Sequence, residues 1–287
     1  MNYEKINNLI GWLLALIATC VYMVTADQFN SWWDTGEFIA SAYKLQIVHQ
    51  PGAPLFLMIQ NVFSNLAMGD TLRIAYWMNA GSAVCSGMTI LFLFWTITAL
   101  ARKVFDKSNI ATGGWHIARI MLAGTIGAAA YAFTDSFWYS AVESEVYAMS
   151  SLCTAAVFWL ILKWDRRADQ PNADRWLLLI MYIMGLSIGV HLLNLLTIPA
   201  LALIVYFRRY QKISTKGIVA SLTIGIGILA FILWGVIQYL IRIAAKFELL
   251  FVNQFGFDFG TGIWIFAFLL VISLGWGIYY SVKRSKP

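Results

Sequence analysis

Apolar runs separated by short clusters of charge set the pattern of this chain. They fall at about 9–26, 74–100, 115–134, 146–163, 176–190, 192–207, 217–241 and 263–282, most of them near the roughly 20 helical residues that cross a bilayer core of about 30 Å. The pattern predicts eight crossings. The fifth and sixth runs are short and share the turn Gly189-Val190-His191, so this pair reads either as two spans or as a broken hairpin packed within the bundle. Between the first two runs, residues 27–73 are too apolar for a free loop and too interrupted for a crossing. They predict two helices lying near the interface, the first from Thr35 to about Val48 with Phe38, Ala42 and Leu45 on one stripe. The second runs from about Ala53 to Met68, after the breaks at Pro51 and Pro54. A further segment, about 242–262, carries aromatics and glycines and reads as a loop on the same side.

Composition agrees with the pattern: 60% apolar residues in 287 positions leave too little polar surface to coat a soluble globule, so the chain reads as one multi-pass transmembrane domain, 1–287. No small-residue cleavage site follows the first run, which is expected to stay as a helix. Cys20, Cys85 and Cys153 each sit inside an apolar run and read as small packing residues. Charge fixes the expected orientation. With the N-terminus cytoplasmic, 16 of the 20 basic residues fall on the inner face, while Asp27, Asp34, Glu37, Asp70, Asp135, Glu143, Glu145, Glu248 and Asp258 fall outside. The net charge of +6 is then an orientation signal, and nucleic acid is excluded as a partner.

The candidate chemistry lies in Trp33-Asp34-Thr35-Gly36-Glu37-Phe38 and His49-Gln50-Pro51-Gly52-Ala53-Pro54, directly after the first run. Ionisable residues at a membrane face are costly enough to suggest a site. Asp34 and Glu37 also have the D-x-x-E spacing of a capping box, with Asp34 as N-cap of the first interfacial helix. The two roles are compatible: a carboxylate held at a helix start beside Trp32 and Trp33 is fixed and partly desolvated, which suits a general base. Glu143 and Glu145 fall at the start of the fourth run. On a helix, positions two apart diverge by about 200°, so one of them is expected to face inward, with Glu145 preferred. His49 precedes the Pro-Gly turn, and His191 marks the tip of the short hairpin. Lys44, Arg73, Arg242 and Lys246 are the outer cations available to an anionic lipid phosphate, and each also reads as an interfacial snorkel. There is no Walker loop, dinucleotide fingerprint, H-E-x-x-H or nucleophile elbow, so a soluble nucleotide donor has no support.

Four segments carry a resemblance: Asp-Thr-Gly-Glu-Phe at 34–38, His-x-Pro-Gly-x-Pro-Leu-Phe at 49–56, Ala-Val-Glu-Ser-Glu-Val-Tyr-Ala at 141–148 and Gly-Leu-Ser-Ile-Gly-Val-His-Leu-Leu-Asn-Leu-Leu at 185–196. In this order they resemble bacterial relatives of the transmembrane protein O-mannosyltransferase family, of the transmembrane protein 260 type, within the GT-C glycosyltransferases. The resemblance implies an all-α membrane bundle with two interfacial helices in its first extracytoplasmic loop, placed in the cell inner membrane. It implies a polyprenyl-phosphate sugar donor and inverting transfer of a mannose-like sugar to an acceptor hydroxyl, on a protein Ser/Thr or a glycan, at the extracytoplasmic face. By position, Asp34 matches the family's loop acid, and Glu37, His49, Glu145 and His191 match its other polar motif positions. Gln50 and Ala53 stand where the family commonly has Pro and Tyr, and members are usually longer. No cofactor is required by the sequence, and a divalent cation joining Asp34 and Glu37 is left open. A transporter, with acids near a broken helix pair holding a coupling ion, is a competing reading, weakened because the charges cluster at the outer ends of the runs. A non-catalytic subunit of an envelope complex is another, consistent with the short chain and its many aromatics.

Overall fold

The computed structural model describes residues 2–29, 32–107 and 114–284, and every regular element among them is helical. Two compact units divide the chain, Met1–Ser214 and Thr215–Pro287.

The first unit holds α1 (Tyr3–Thr25), α2 (Thr35–Lys44), α3 (Pro54–Ser64), α4 (Ile74–Lys107), α5 (Gly114–Ala132), α6 (Asp135–Val142), α7 (Val146–Arg167), α8 (Arg175–Ile188) and α9 (Ile198–Arg209). Helix α4 is the centre of the bundle and packs against α1, α5 and α7. Small residues allow the close approaches. A Cβ added at Gly87 would sit 1.8 Å from Thr19 Oγ1, and one at Gly124 would sit 2.5 Å from Thr98 Cγ2, so neither position admits even alanine without a shift. Buried polar tethers then fix the layers: the Tyr22 hydroxyl donates to the Ala132 carbonyl (2.7 Å), and the Asn79 amide donates to the Asp27 carbonyl (2.8 Å).

The second unit is a long helical run from α10 (Thr215–Ala230) through two π-helical stretches flanking α11 (Leu240–Leu249) to Gln254, followed by α12 (Thr261–Arg284). Gly256 and Gly260, both at positive φ (71° and 94°), shape the turn back, and α12 packs on α11 with Phe247 and Phe266 rings 5.4 Å apart. Glu248, buried, accepts hydrogen bonds from the backbone N–H groups of Gly260 and Ile263 and so satisfies orphan donors at the start of α12.

The protein is an all-α, multi-pass membrane protein, but the count differs from eight. Six helical stretches among the described residues have the length and apolarity to cross a bilayer, and the pair α5 and α6, bent by 67°, makes a seventh if taken as one span. At 14 residues, α8 is short of a crossing. The residues expected to form a loop from 242 onward are helical as far as Gln254. The two short helices of the 27–73 segment are present: α2 stops early, at Lys44, whereas α3 is continued by a 3-10 turn, Asn65–Ala67, close to the expected end. Leu45 leaves the predicted stripe because it closes α2 in the left-handed region at φ 50° and is exposed, while Phe38 and Ala42 are buried.

Candidate active site

Helix α2 is anchored so that its first turn faces the junction between α6 and α7. Phe38 packs edge-on against Phe56 of α3 at 5.3 Å, and the Asn61 amide of α3 donates to the carbonyls of Ala42 (2.9 Å) and Tyr43 (3.1 Å), satisfying the end of α2. The Pro51–Pro54 turn leads into α3 with Pro54 in its first turn, and the N–H groups of Leu55 and Phe56 both donate to the Gly189 carbonyl, at 2.7 and 3.2 Å. Gly189 is needed for that contact, since a Cβ there would stand 3.0 Å from Leu55 Cβ and 3.4 Å from Leu55 N. The 49–56 and 185–196 segments are therefore physically joined. Ser187 and Asn194, which also lie in the last segment, bind each other at 3.0 Å and stabilise its bend.

These anchors bring Asp34, His49, Glu145, Tyr147 and His191 around one cleft of about 80 Å³. Glu37 joins through His49: its two carboxylate oxygens accept from the His49 backbone N–H and pair with His49 Nδ1, both at 2.8 Å. The other ring nitrogen, Nε2, lies 3.8 Å from Asp34 Oδ2. The hydrogen bond to Glu37, then the charges of Glu37, Asp34 and Glu145, push the imidazole pKa up despite partial desolvation, and the same hydrogen bonds hold Glu37 below the usual carboxylate range. His49 therefore holds its proton more readily than a free imidazole. His191 is its opposite. Burial lowers its pKa, and the Leu193 N–H donates to its Nδ1 (3.1 Å), leaving Nε2–H as the ring's donor.

Three expectations change here. The capping box does not form: Asp34 makes no side-chain cap hydrogen bond, and Glu37 turns to His49. Trp32 and Trp33 do not desolvate Asp34, being 84% and 89% exposed, and the Asp34 side chain itself is 43% exposed. Glu143 and Glu145 do not diverge. They lie outside the helices, as C-cap of α6 and N-cap of α7, and the Glu145 N–H donates to the Glu143 carbonyl (3.0 Å) across Ser144, a tight turn that keeps both acids by Thr35. Both are buried, at 4% and 5% exposure, and both are influenced by the fully buried Thr35, whose hydroxyl lies 3.5 Å from Glu145 Oε1. Burial first, then the Glu145 charge, raises Glu143 to about 7. Burial first, then Asp34, raises Glu145.

Glu145 lines the cleft, as preferred, and Glu143 is a second buried acid behind it that also meets Thr35. Among the expected cations, Arg73 pairs with Asp70 at 3.2 Å on a different cavity wall, and Lys44 is exposed at the end of α2, so neither lines the cleft. Arg242 and Lys246 belong to the second unit, where both are exposed and the Arg242 guanidinium lies 5.5 Å from the centre of the Tyr239 ring. One ligand atom each from Asp34, Glu37 and His49 lies within 4.8 Å of the others, a spacing that fits a divalent cation.

A profile of the protein O-mannosyl-transferase TMEM260 N-terminal domain matches residues 34–214. The chain belongs to the TMEM260 N-terminal domain family. The match begins at Asp34 and ends where the first compact unit ends. Curated relatives include the protein O-mannosyl-transferase tmem260 of Dictyostelium discoideum, 23% identical over 63% of this chain and 21% of its own length. The protein O-mannosyl-transferase TMEM260 of Mus musculus is 22% identical over 77% of this chain and 29% of its own length. The chain therefore spans only about a fifth to three tenths of these relatives. No solved structure matches it.

Proposed function

We propose that this TMEM260-family chain carries the catalytic part of a membrane protein O-mannosyltransferase. The reading rests on one observation: the four segments converge to place Asp34, His49, Glu145 and His191 on one cleft, with Glu37 holding His49. The site works at the extracytoplasmic face of the inner membrane, with the N-terminus cytoplasmic, on a polyprenyl-phosphate mannose donor and a Ser/Thr hydroxyl of a protein acceptor.

In the reaction, the acceptor oxygen bonds to the anomeric carbon as the bond from that carbon to the donor phosphate breaks, inverting the configuration. The hydroxyl proton passes to Asp34, the exposed carboxylate of the group, and the lipid phosphate departs as the anion. Glu37 keeps the imidazolium of His49 beside Asp34, which fixes the base and adds positive charge where the phosphate charge develops. Glu145 accepts hydrogen bonds from sugar hydroxyls, and the Nε2–H of His191 donates to them. The outer cations Arg242, Lys246, Lys44 and Arg73 are the candidates for the lipid phosphate's partner. With His49 neutral instead, Asp34, Glu37 and His49 would hold a divalent cation, which would supply the charge for the leaving phosphate in place of the imidazolium.

The test is transfer of radiolabelled mannose from the lipid-phosphate donor to a Ser/Thr peptide by membranes containing the chain, compared with the Asp34→Asn variant. Asparagine keeps the shape of the helix start and removes the base. Inverted product from the parent and none from a folded variant is expected. Equal turnover by the two would refute the assignment of Asp34.

A further inference from the structure

The first unit has a second cavity, at the far end of α1, α4 and α7 from Asp34. Along α4 the separation from Ile74 to Arg102 is about 40 Å, at the rise of an α-helix. The cavity has a volume of about 380 Å³, and Arg102, Lys163, Arg166 and Arg167 line it against one carboxylate, Glu4. Its apolar wall is made of indoles: Trp95 stacks on Trp159 at 5.3 Å and meets Trp12 edge-on at 6.2 Å. Lys163 Nζ lies 4.6 Å above the Trp159 ring. Asn7 Oδ1 and Trp95 Nε1 in this wall are buried with no hydrogen-bond partner among the described residues.

Cations collect at this end of the bundle on orientation grounds alone, so their number is uninformative. Their partners differ, however. Just outside the cavity Lys103 pairs with Asp165 (2.7 Å), Arg208 with Asp165 and Asp169, and Arg209 with Asp174 (2.9 Å). Lys163, Arg166 and Arg167, inside it, pair with no carboxylate among the described residues. A concave wall where three cations without an ion pair face the single carboxylate of Glu4 keeps an excess of positive charge that focuses potential toward an anion, and the volume falls in the range of small-ligand sites. The cavity opens at the ends of three apolar spans, and the indole wall matches the amphipathic layer where lipid headgroups meet acyl chains.

We propose that this cavity binds the phosphate headgroup of an anionic phospholipid from the leaflet that meets this end of the bundle. Thermal unfolding of the full chain in neutral detergent, titrated with dioctanoyl phosphatidylglycerol, dioctanoyl phosphatidylcholine or inorganic phosphate, tests it. Phosphatidylglycerol should raise the melting temperature and the other two should not. The apparent affinity should fall roughly tenfold in Lys163→Gln and again in Arg167→Gln, the loss typical of one charge-assisted contact, while Lys212→Gln on an exposed position behaves like the parent. Native mass spectrometry of the parent released from mixed phosphatidylglycerol and phosphatidylcholine nanodiscs should show retained phosphatidylglycerol, which keeps the idea testable if a variant fails to fold. Equal stabilisation by phosphatidylcholine, equal stabilisation by inorganic phosphate, or unchanged binding by both cavity variants would overturn the lipid site.

Discussion

Glu143 gives the sharpest quantitative expectation. Its carboxylate lies in the connection between α6 and α7, outside the apolar spans, 4% exposed, and its Oε2 has no hydrogen-bond partner among the described residues. The groups that act on it are Glu145 and Asp27, both of like charge, and the Thr35 hydroxyl, which only partly offsets burial. Because its pKa rises from 4.5 to about 7 on folding, the folded state binds this proton more tightly than the unfolded chain does. Its contribution to stability is therefore fully present below 4.5 and is lost as the pH climbs through about 7. The charged form costs the fold about 3 kcal/mol above both values and about 1 kcal/mol near pH 5. Glu143→Gln removes the titration, so its stability relative to the parent should improve by about 2 to 3 kcal/mol between about pH 5 and about pH 8. Followed by circular dichroism during heating in detergent, that is a change of roughly 3–5 °C in the Tm gap between the two proteins. Asp135→Asn, at an exposed acid of α6, serves as the control with no such trend. A gap that stays constant across the pH range would mean that Glu143 does not titrate as a buried, unpartnered acid, and the packing of Thr35 against the two glutamates would have to be redrawn.

Other outcomes follow from the same geometry. Glu37→Gln removes the partner that raises the His49 pKa, so the alkaline limb of the kcat/KM profile should move to lower pH, whereas a purely structural role for Glu37 would lower rates without moving it. Arg242→Gln or Lys246→Gln should weaken donor use by roughly 10- to 100-fold in transfer measured against donor concentration, and no change in either would place the phosphate contact elsewhere. Cysteine labels at Ile47 and Phe259, both exposed, should react with impermeant reagents from outside, and one at Asn172 from the cytoplasm; reversed labelling would invert the proposed topology. Gly262→Ala should lower the Tm of the chain, because its Cβ would stand 2.4 Å from both Glu248 Cα and the Phe247 carbonyl, while a change at Gly227, with open space around it, should not.

The long spans were legible because length and apolarity alone determine them, and the two short helices after α1 because Pro51 and Pro54 punctuate the segment. What the chain hides is where a polar residue is structural. Arg242, Lys246 and Glu248 read as the start of a loop, yet they lie on α11, and Glu248 turns inward to hold the start of α12, a partner no local pattern announces. Likewise D-x-x-E at Asp34 and Glu37 is the spacing of a capping box and also the spacing that puts two side chains on one helix face. Only the return of the chain at His49 distinguishes them, because its backbone N–H and ring both claim Glu37. The positive partner beside Asp34 is hidden for a related reason. Lysines and arginines are visible as cations in any sequence, whereas the His49 pKa is raised by Glu37, twelve residues away. Glu143 and Glu145 mark the limit most clearly: a helix starting three residues earlier would have sent them apart, and the tight turn at Ser144 instead keeps both acids by Thr35, so the surroundings of the cleft turn on a helix boundary.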